Sequence, residues 1–240
     1  MTTNLSNLDQ YFGINFDSSY KYDGHSIPRV TAIINKCMDQ EGLMNWANKI
    51  GLNGIIYKDF SKKTLETGSA AHKAIEEYIK TGVISPDAPK NPIHAFESWW
   101  RDLHTVHKTV KVLGQEFTLT TPYFGGTYDM LLQLDDKNCL IDFKTSKSIY
   151  YNYFIQLSAY KYMLENEGIQ VDKIMVVRIP KDAPHYETFF FDMENPVHRD
   201  FINECLIDFF NMVQVYWSDT LVEQHYKNIV KSTPKGFFNK

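Results

Sequence analysis

Two apolar alternations face each other across a short polar turn in "GGTYDMLLQLDDKNCLIDFKT", residues 125–145, and this constrains the fold more than any other stretch. If Asp135 to Asn138 form a four-residue loop, Leu134 pairs with Cys139, Leu132 with Ile141, and Met130 with Phe143. Side chains alternate along a strand, so these apolar residues share one face of an antiparallel pair. The other face sets Asp129 opposite Lys144 and Leu131 opposite Asp142, making Asp129 and Asp142 diagonal neighbours about 7–8 Å apart at Cα. A slip of one residue would ruin both faces together.

Two carboxylates on one small patch repel unless a cation or a proton lies between them. Oxygen ligands suit magnesium or manganese, and such an ion can polarise a phosphoryl oxygen and acidify water. Lys144, beside both acids, can align that water or stabilise charge on a pentacovalent phosphate. The chemistry suggested is metal-assisted phosphodiester hydrolysis. The bland alternative is an Asp–Lys pair on a solvated strand face, and the hairpin alone does not separate the two.

Around the hairpin the period changes twice. Residues 1–27 are polar and irregular, expected to be loosely ordered apart from a turn at Asp23-Gly24. Residues 28–110 carry helical patterns: "RVTAIINKCM" and "GLMNWANKIG", joined near Gly42, "TLETGSAAHKAIEEYIKTG" ending at Gly82, and a stretch opened by Pro92. Residues 111–192 hold β-prone runs interrupted by a helix from about Ser148 to Asn166, with "KIMVVRIP" and "HYETFFFD" as a second strand pair. Residues 195–240 begin a last amphipathic helix at Asn195-Pro196, expected to run to about Trp217 with a basic tail beyond. With 240 residues, 43% hydrophobic, and no linker composition, the chain is expected to form one domain. The order of elements predicts an α/β or α+β fold around a mixed sheet.

Two helices add polar groups to the hairpin. Gly68, His72 and Glu76 fall four apart on one helical face. Gly68 permits close approach of another backbone, His72 can ligate a metal or touch a phosphate, and Glu76 can orient it. Beyond Lys144, Tyr153, Gln156, Tyr160 and Met163 form one stripe. Its glutamine and phenols suit contact with a nucleic-acid backbone or an unstacked base. Each set alone is matched by a bland reading, a surface ion pair for the first and an aromatic packing helix for the second.

In chain order, G-x-x-x-H-x-x-x-E, G-x-x-D, D-x-K and Q-x-x-x-Y fall at Gly68, His72, Glu76; Gly126, Asp129; Asp142, Lys144; and Gln156, Tyr160. The set resembles the RecB-type branch of the PD-(D/E)XK nuclease superfamily, and the helical opening is similar to mitochondrial genome-maintenance and phage recombination exonucleases. The resemblance spans roughly residues 28–180. It implies a restriction-endonuclease-like core, with a central mixed β-sheet flanked by helices and an N-terminal helical region. It also implies a Mg2+- or Mn2+-dependent deoxyribonuclease, most simply an exonuclease on DNA ends or single strands in recombination, repair or phage replication. The metal would be held by His72, Asp129, Asp142 and the Phe143 carbonyl, with Asp129, Asp142 and Lys144 catalytic and Gln156 and Tyr160 against DNA. Glu76 is a supporting residue. Tyr128 stands where the superfamily name has proline, and Thr67 where many relatives have arginine. A structure-specific endonuclease, or a catalytically silent DNA- or protein-binding module of the same fold, is the alternative.

Other signals set limits. Net charge is −4, so any attraction to DNA must be local. Cys37, Cys139 and Cys205 are far apart, which excludes the thiolate grouping of an iron–sulfur cluster or structural zinc and suits a reducing, cytoplasmic setting, with an organelle as the alternative. No apolar run is long enough for a membrane span. There are no helicase motifs, so a helicase or a single-strand annealing protein is the expected kind of partner. His104 and His107 lack a third zinc ligand and read as surface residues. Glu116, on the strand before the hairpin, is a candidate supporting acid. Lys227, Lys231, Lys235 and Lys240 read chiefly as a solvated basic tail.

Overall fold

The computed structural model describes residues 16, 18–38 and 41–232. In chain order come a small hairpin, β1 (Lys21–Tyr22) and β2 (His25–Ser26), and helices α1 (Val30–Cys37), α2 (Glu41–Leu52), α3 (Tyr57–Thr81) and α4 (Lys90–Val106). Strands β3 (Val110–Thr120), β4 (Gly125–Leu134) and β5 (Lys137–Lys144) follow, then α5 (Asn152–Asn166), β6 (Lys173–Arg178), β7 (Glu187–Asp192) and α6 (Pro196–Ser232). Most of the N-terminal segment expected to be loose, together with Lys235 and Lys240, lies outside the described residues. The Asp23-Gly24 turn forms as expected, with both residues at positive φ (47° and 79°). Gly42 lies inside α2 rather than at the joint before it.

The sheet runs β3-β4-β5-β6-β7, antiparallel throughout except for the parallel β5/β6 step. A parallel step needs a crossover, and α5 supplies it. Each face of the sheet is covered. Met130, Leu132, Leu134, Cys139, Ile141 and Phe143 pack beneath α3 and α4 against Ala71, Ile75, Phe96 and Trp99. Leu131, Leu140, Ile174 and Val176 pack against α1, α5 and α6, with Ile33, Leu157 and Phe209 among their neighbours. This mixed sheet sandwiched by helices is the restriction-endonuclease-like core expected from the sequence. Among the described residues no helix is long and apolar enough to cross a membrane.

The register of the β4/β5 hairpin differs from the expected one. The turn has two residues, Asp135 and Asp136, and Leu134 pairs with Lys137, Leu132 with Cys139, and Met130 with Ile141. The slip is even, so the paired side chains from Met130 to Leu134 keep their faces. The turn closes tightly because Asp135 adopts φ 55°, a conformation aspartate tolerates better than most residues. Its carboxylate is used as well: Oδ1 accepts the Thr109 N–H at 3.1 Å, and Oδ2 lies 3.0 Å from His107 Nδ1.

Two helices depart from their expected bounds. α6 runs to Ser232, well past Trp217. Trp217 is its last buried residue, and beyond it Lys227 pairs with Glu223 one turn away in a segment free of glycine and proline. α5 starts at Asn152 rather than Ser148, because the segment before it turns on itself (Ser146 Oγ to the Ser148 carbonyl, 2.8 Å) and is tied down by Arg178.

Candidate active site

The paired ladder of β4 and β5 ends at Met130–Ile141, and the polar groups gather where it ends. There Asp129 Oδ2 accepts the Phe143 N–H at 2.7 Å, in place of a ladder bond. On the far side of β4, Glu116 of β3 takes φ 45°. For a residue with a Cβ this left-handed conformation costs on the order of 1–2 kcal/mol, and strain of this kind gathers at functional sites. From α3, His72 brings Nδ1 to 3.3 Å from Asp129 Oδ1 and 3.8 Å from Glu116 Oε1. Among the described residues, His72, Glu116 and Asp129 each offer one ligand atom, all within 4.8 Å of one another.

Asp142 and Lys144 lie alongside. Asp142 is only 2% exposed. Lys144 Nζ donates to its Oδ1 at 3.0 Å and to Gln156 Oε1 at 3.1 Å, while Gln156 Nε2 donates to the same Oδ1 at 3.2 Å and to the Tyr160 hydroxyl at 3.2 Å. The Tyr153 ring lies under the ammonium, 4.7 Å from its centroid. Asp142 Oδ2 is 2.8 Å from Lys144 Nζ as an ion-pair contact, yet no donor is aligned to hydrogen-bond it, so it is a buried oxygen with spare acceptor capacity. The imidazole of His72 and the carboxylates of Glu116 and Asp129 are a donor set that fits a hard divalent cation such as Mg2+ or Mn2+, while Asp142, expected as a ligand, lies outside that three-residue cluster against Lys144.

The electrostatics agree with a site short of positive charge. The charge of Asp129 lifts the His72 pKa well above its ordinary value, against the opposing effect of burial. Burial works to raise the Asp129 pKa, but His72, Lys144 and the Phe143 N–H together hold it below the usual range. For Asp142 burial wins: its pKa is pushed up to about 6, the Lys144 ammonium only partly offsetting desolvation and the nearby Asp129. Lys144 is held above its ordinary value because Asp142 and Asp129 outweigh its own burial.

The structure thus brings His72, Asp129, Asp142, Phe143 and Lys144 together, with Phe143 taking part through its N–H. Glu116, read only as support, sits in the closest ligand cluster. Its signal in the sequence was Gly114: an isolated glycine in a strand marks a bulge. A Cβ there would lie 2.4 Å from the Tyr128 hydroxyl, and the β3 register shifts between Val112 and Gly114. Glu76 does not orient His72; it pairs with Lys80. Gln156 and Tyr160, expected to face DNA, are buried at 9% and 3% exposure and instead position Lys144 and Asp142. Tyr160 lies so close over Gly126 that a Cβ there would come within 2.4 Å of its ring. The expected approach at Gly68 is to Thr145, whose hydroxyl would be 3.3 Å from a Cβ. His104 bonds to the Trp100 carbonyl at 2.8 Å, one turn back on its own helix. An open cavity of about 520 Å³ lies over the cluster, walled by α3 from Thr64 to Glu76 with Glu116, Thr145 and Lys181.

Neither a family model nor a curated protein matches the sequence. Among solved structures the chain is similar to a phage-related exonuclease from Haemophilus somnus 129PT, at 12% identity over 81% of this chain and 96% of that one, with a TM-score of 0.31. It is also similar to a protein designated SSO0001, at 14% identity over 62% and 86% of the two chains, with a TM-score of 0.26. At TM-scores this low neither likeness bears on what the chain does.

Proposed function

We propose that the chain is a divalent-metal-dependent deoxyribonuclease that hydrolyses phosphodiester bonds, working from DNA ends or on single strands. The observation that carries this is the juxtaposition of an imidazole and two carboxylates within 4.8 Å of one another with a buried carboxylate–lysine pair. A protein that only binds has no use for mutually repelling acids kept out of water.

His72, Glu116 and Asp129 would hold Mg2+ or Mn2+, with the Asp142 carboxylate held beside Lys144. When bound, the ion supplies Lewis-acid polarisation of the phosphoryl oxygen. The other roles belong to the chain. Asp129 keeps its orientation through the Phe143 N–H, which leaves Oδ1 turned toward His72 and the ligand cluster. Lys144 is fixed by Asp142, Gln156 and the Tyr153 ring, and a cation fixed in this way can align the attacking water and meet negative charge as it builds on the phosphate. Gln156 and Tyr160 serve as positioning residues. Because the chain carries no helicase motifs, a helicase or a single-strand annealing protein would deliver its single strands.

The test is incubation of linear and circular single- and double-stranded DNA with Mn2+ or Mg2+. Linear DNA should be degraded, and a chelator should stop the reaction. Asp142→Ala and Lys144→Ala should each lower the rate by about 100-fold or more with unchanged circular dichroism. Full activity in either variant, or in chelator, refutes the assignment. Degradation of circles would replace the exonuclease mode with an endonuclease one.

A further inference from the structure

We propose that Lys181 is the substrate-positioning cation of this site, binding the phosphate next to the one being hydrolysed; this rests on the nuclease reading above. The observation behind it is a lysine without a counter-ion in a cavity whose lining also carries two carboxylates. Glu76 and Glu116 line the cavity beside His72, so a polyanion entering it meets like charge unless a cation balances it.

Two lysines border the cavity. Lys73 is 75% exposed at its side chain and already lies 3.9 Å from Glu77. Lys181 is half-buried in the lining, and no carboxylate among the described residues pairs with its ammonium. Partial burial pulls its pKa below the ordinary lysine value, as it must where no anion compensates. A half-buried, unpaired ammonium is costly to keep, and a bound phosphate would relieve that cost.

The position is built rather than incidental. β5 and β6 run parallel, so Lys144 and Arg178 are register partners and both strands end at the same edge. The Ile179 N–H then bonds the Lys144 carbonyl at 2.8 Å, which carries the chain over the end of β5 before Lys181. The Lys181 carbonyl accepts from Asn91 Nδ2 at 2.9 Å, and this anchors the segment to the start of α4. The hydroxyls of Ser69 and Thr145 share the cavity and can donate to the same phosphate. Gly68 keeps the wall beside Thr145 open, since a Cβ there would stand 3.3 Å from its hydroxyl.

The experiment uses the full chain with a fluorescein-labelled single-stranded oligonucleotide, cleaved in Mn2+ and bound with Ca2+ in place of Mn2+. Lys181→Ala should raise KM about tenfold or more while kcat changes little, and Lys181→Arg should restore most of the loss. The slope of log Kd against log salt should fall by about 0.7, the value for one single-strand phosphate contact. An uncharged methylphosphonate next to the scissile linkage should weaken the wild type to the same extent and Lys181→Ala no further. Wild-type KM and salt slope in Lys181→Ala would overturn the assignment, as would a methylphosphonate effect equal in both proteins. A wild-type chain that neither cuts nor binds would overturn the nuclease reading as well, which distinguishes the two failures.

Discussion

Asp142 should weaken the fold it sits in, by an amount that depends on pH. Its carboxyl is 2% exposed and its pKa stands at about 6, against 3.8 for the free side chain. The native state therefore holds this proton more tightly than the unfolded chain does. The contribution is fully present below about pH 3.8 and is lost as pH rises through about 6. About 2 pH units at ~1.4 kcal/mol each give a total loss of about 3 kcal/mol, of which about 2 kcal/mol falls between about pH 4.5 and about pH 7.5. Asp142→Asn removes the titration. The exchange of carboxylate for amide beside Lys144 adds an offset of its own, so the rise of the difference curve with pH, and not its absolute level, is the prediction. Urea unfolding of both proteins in chelator should give a stability difference, variant minus wild type, that climbs by about 2 kcal/mol across that range and then levels. A flat difference curve, or one that falls with pH, would refute the reasoning, because ionising Asp142 would then carry no cost.

Metal binding should strengthen as pH rises, since the proton that Asp129 holds on His72 must leave before the imidazole can ligate; calorimetry in buffers of different ionisation enthalpy should show proton release, and less of it in His72→Ala. Gly126→Ala forces a Cβ to within 2.4 Å of the Tyr160 ring. It should lower stability by about 1–3 kcal/mol and also slow cleavage by disturbing Gln156, with Tm and rate as the two readouts. At Glu116, where φ is 45°, glycine should be more stable than alanine by about 1 kcal/mol. Both variants should bind metal more weakly, and equal stabilities would show that the backbone carries no strain.

The two faces of the hairpin were legible because strict alternation admits only one assignment of sides. Met130, Leu132 and Leu134 are buried with Cys139, Ile141 and Phe143 as that alternation requires. The register was not legible, since it depends on Asp135 reaching a left-handed conformation and bonding Thr109, a residue from another strand's approach. The placement of Asp129 beside Asp142 survived because the error was even. The inward orientation of Gln156 was hidden for a different reason. A helix with one polar stripe looks solvent-facing, but α5 is the crossover of the parallel step and packs against both the sheet and α6, so Gln156 turns toward Lys144. Glu116 lies just past the register shift between Val112 and Gly114, where the Tyr128 hydroxyl takes the space a Cβ at Gly114 would fill, a contact between strands that the sequence does not spell out.

The scattered origin of the site also bears on when the protein becomes chemically competent. His72 comes from α3, Glu116 from the β3 irregularity, Asp129 from the end of β4, and Lys144 is held by a glutamine on the crossover helix. Parallel pairing and its crossover are among the slower events in forming a sheet, because loop closure must precede any gain from distant contacts. Until α5 docks, no fragment of the chain has both the ligand cluster and an anchored lysine. If the chain is the nuclease proposed above, a nascent or partly unfolded copy would be inert toward the nucleic acid around it, and hydrolytic capacity would arrive only with the completed fold.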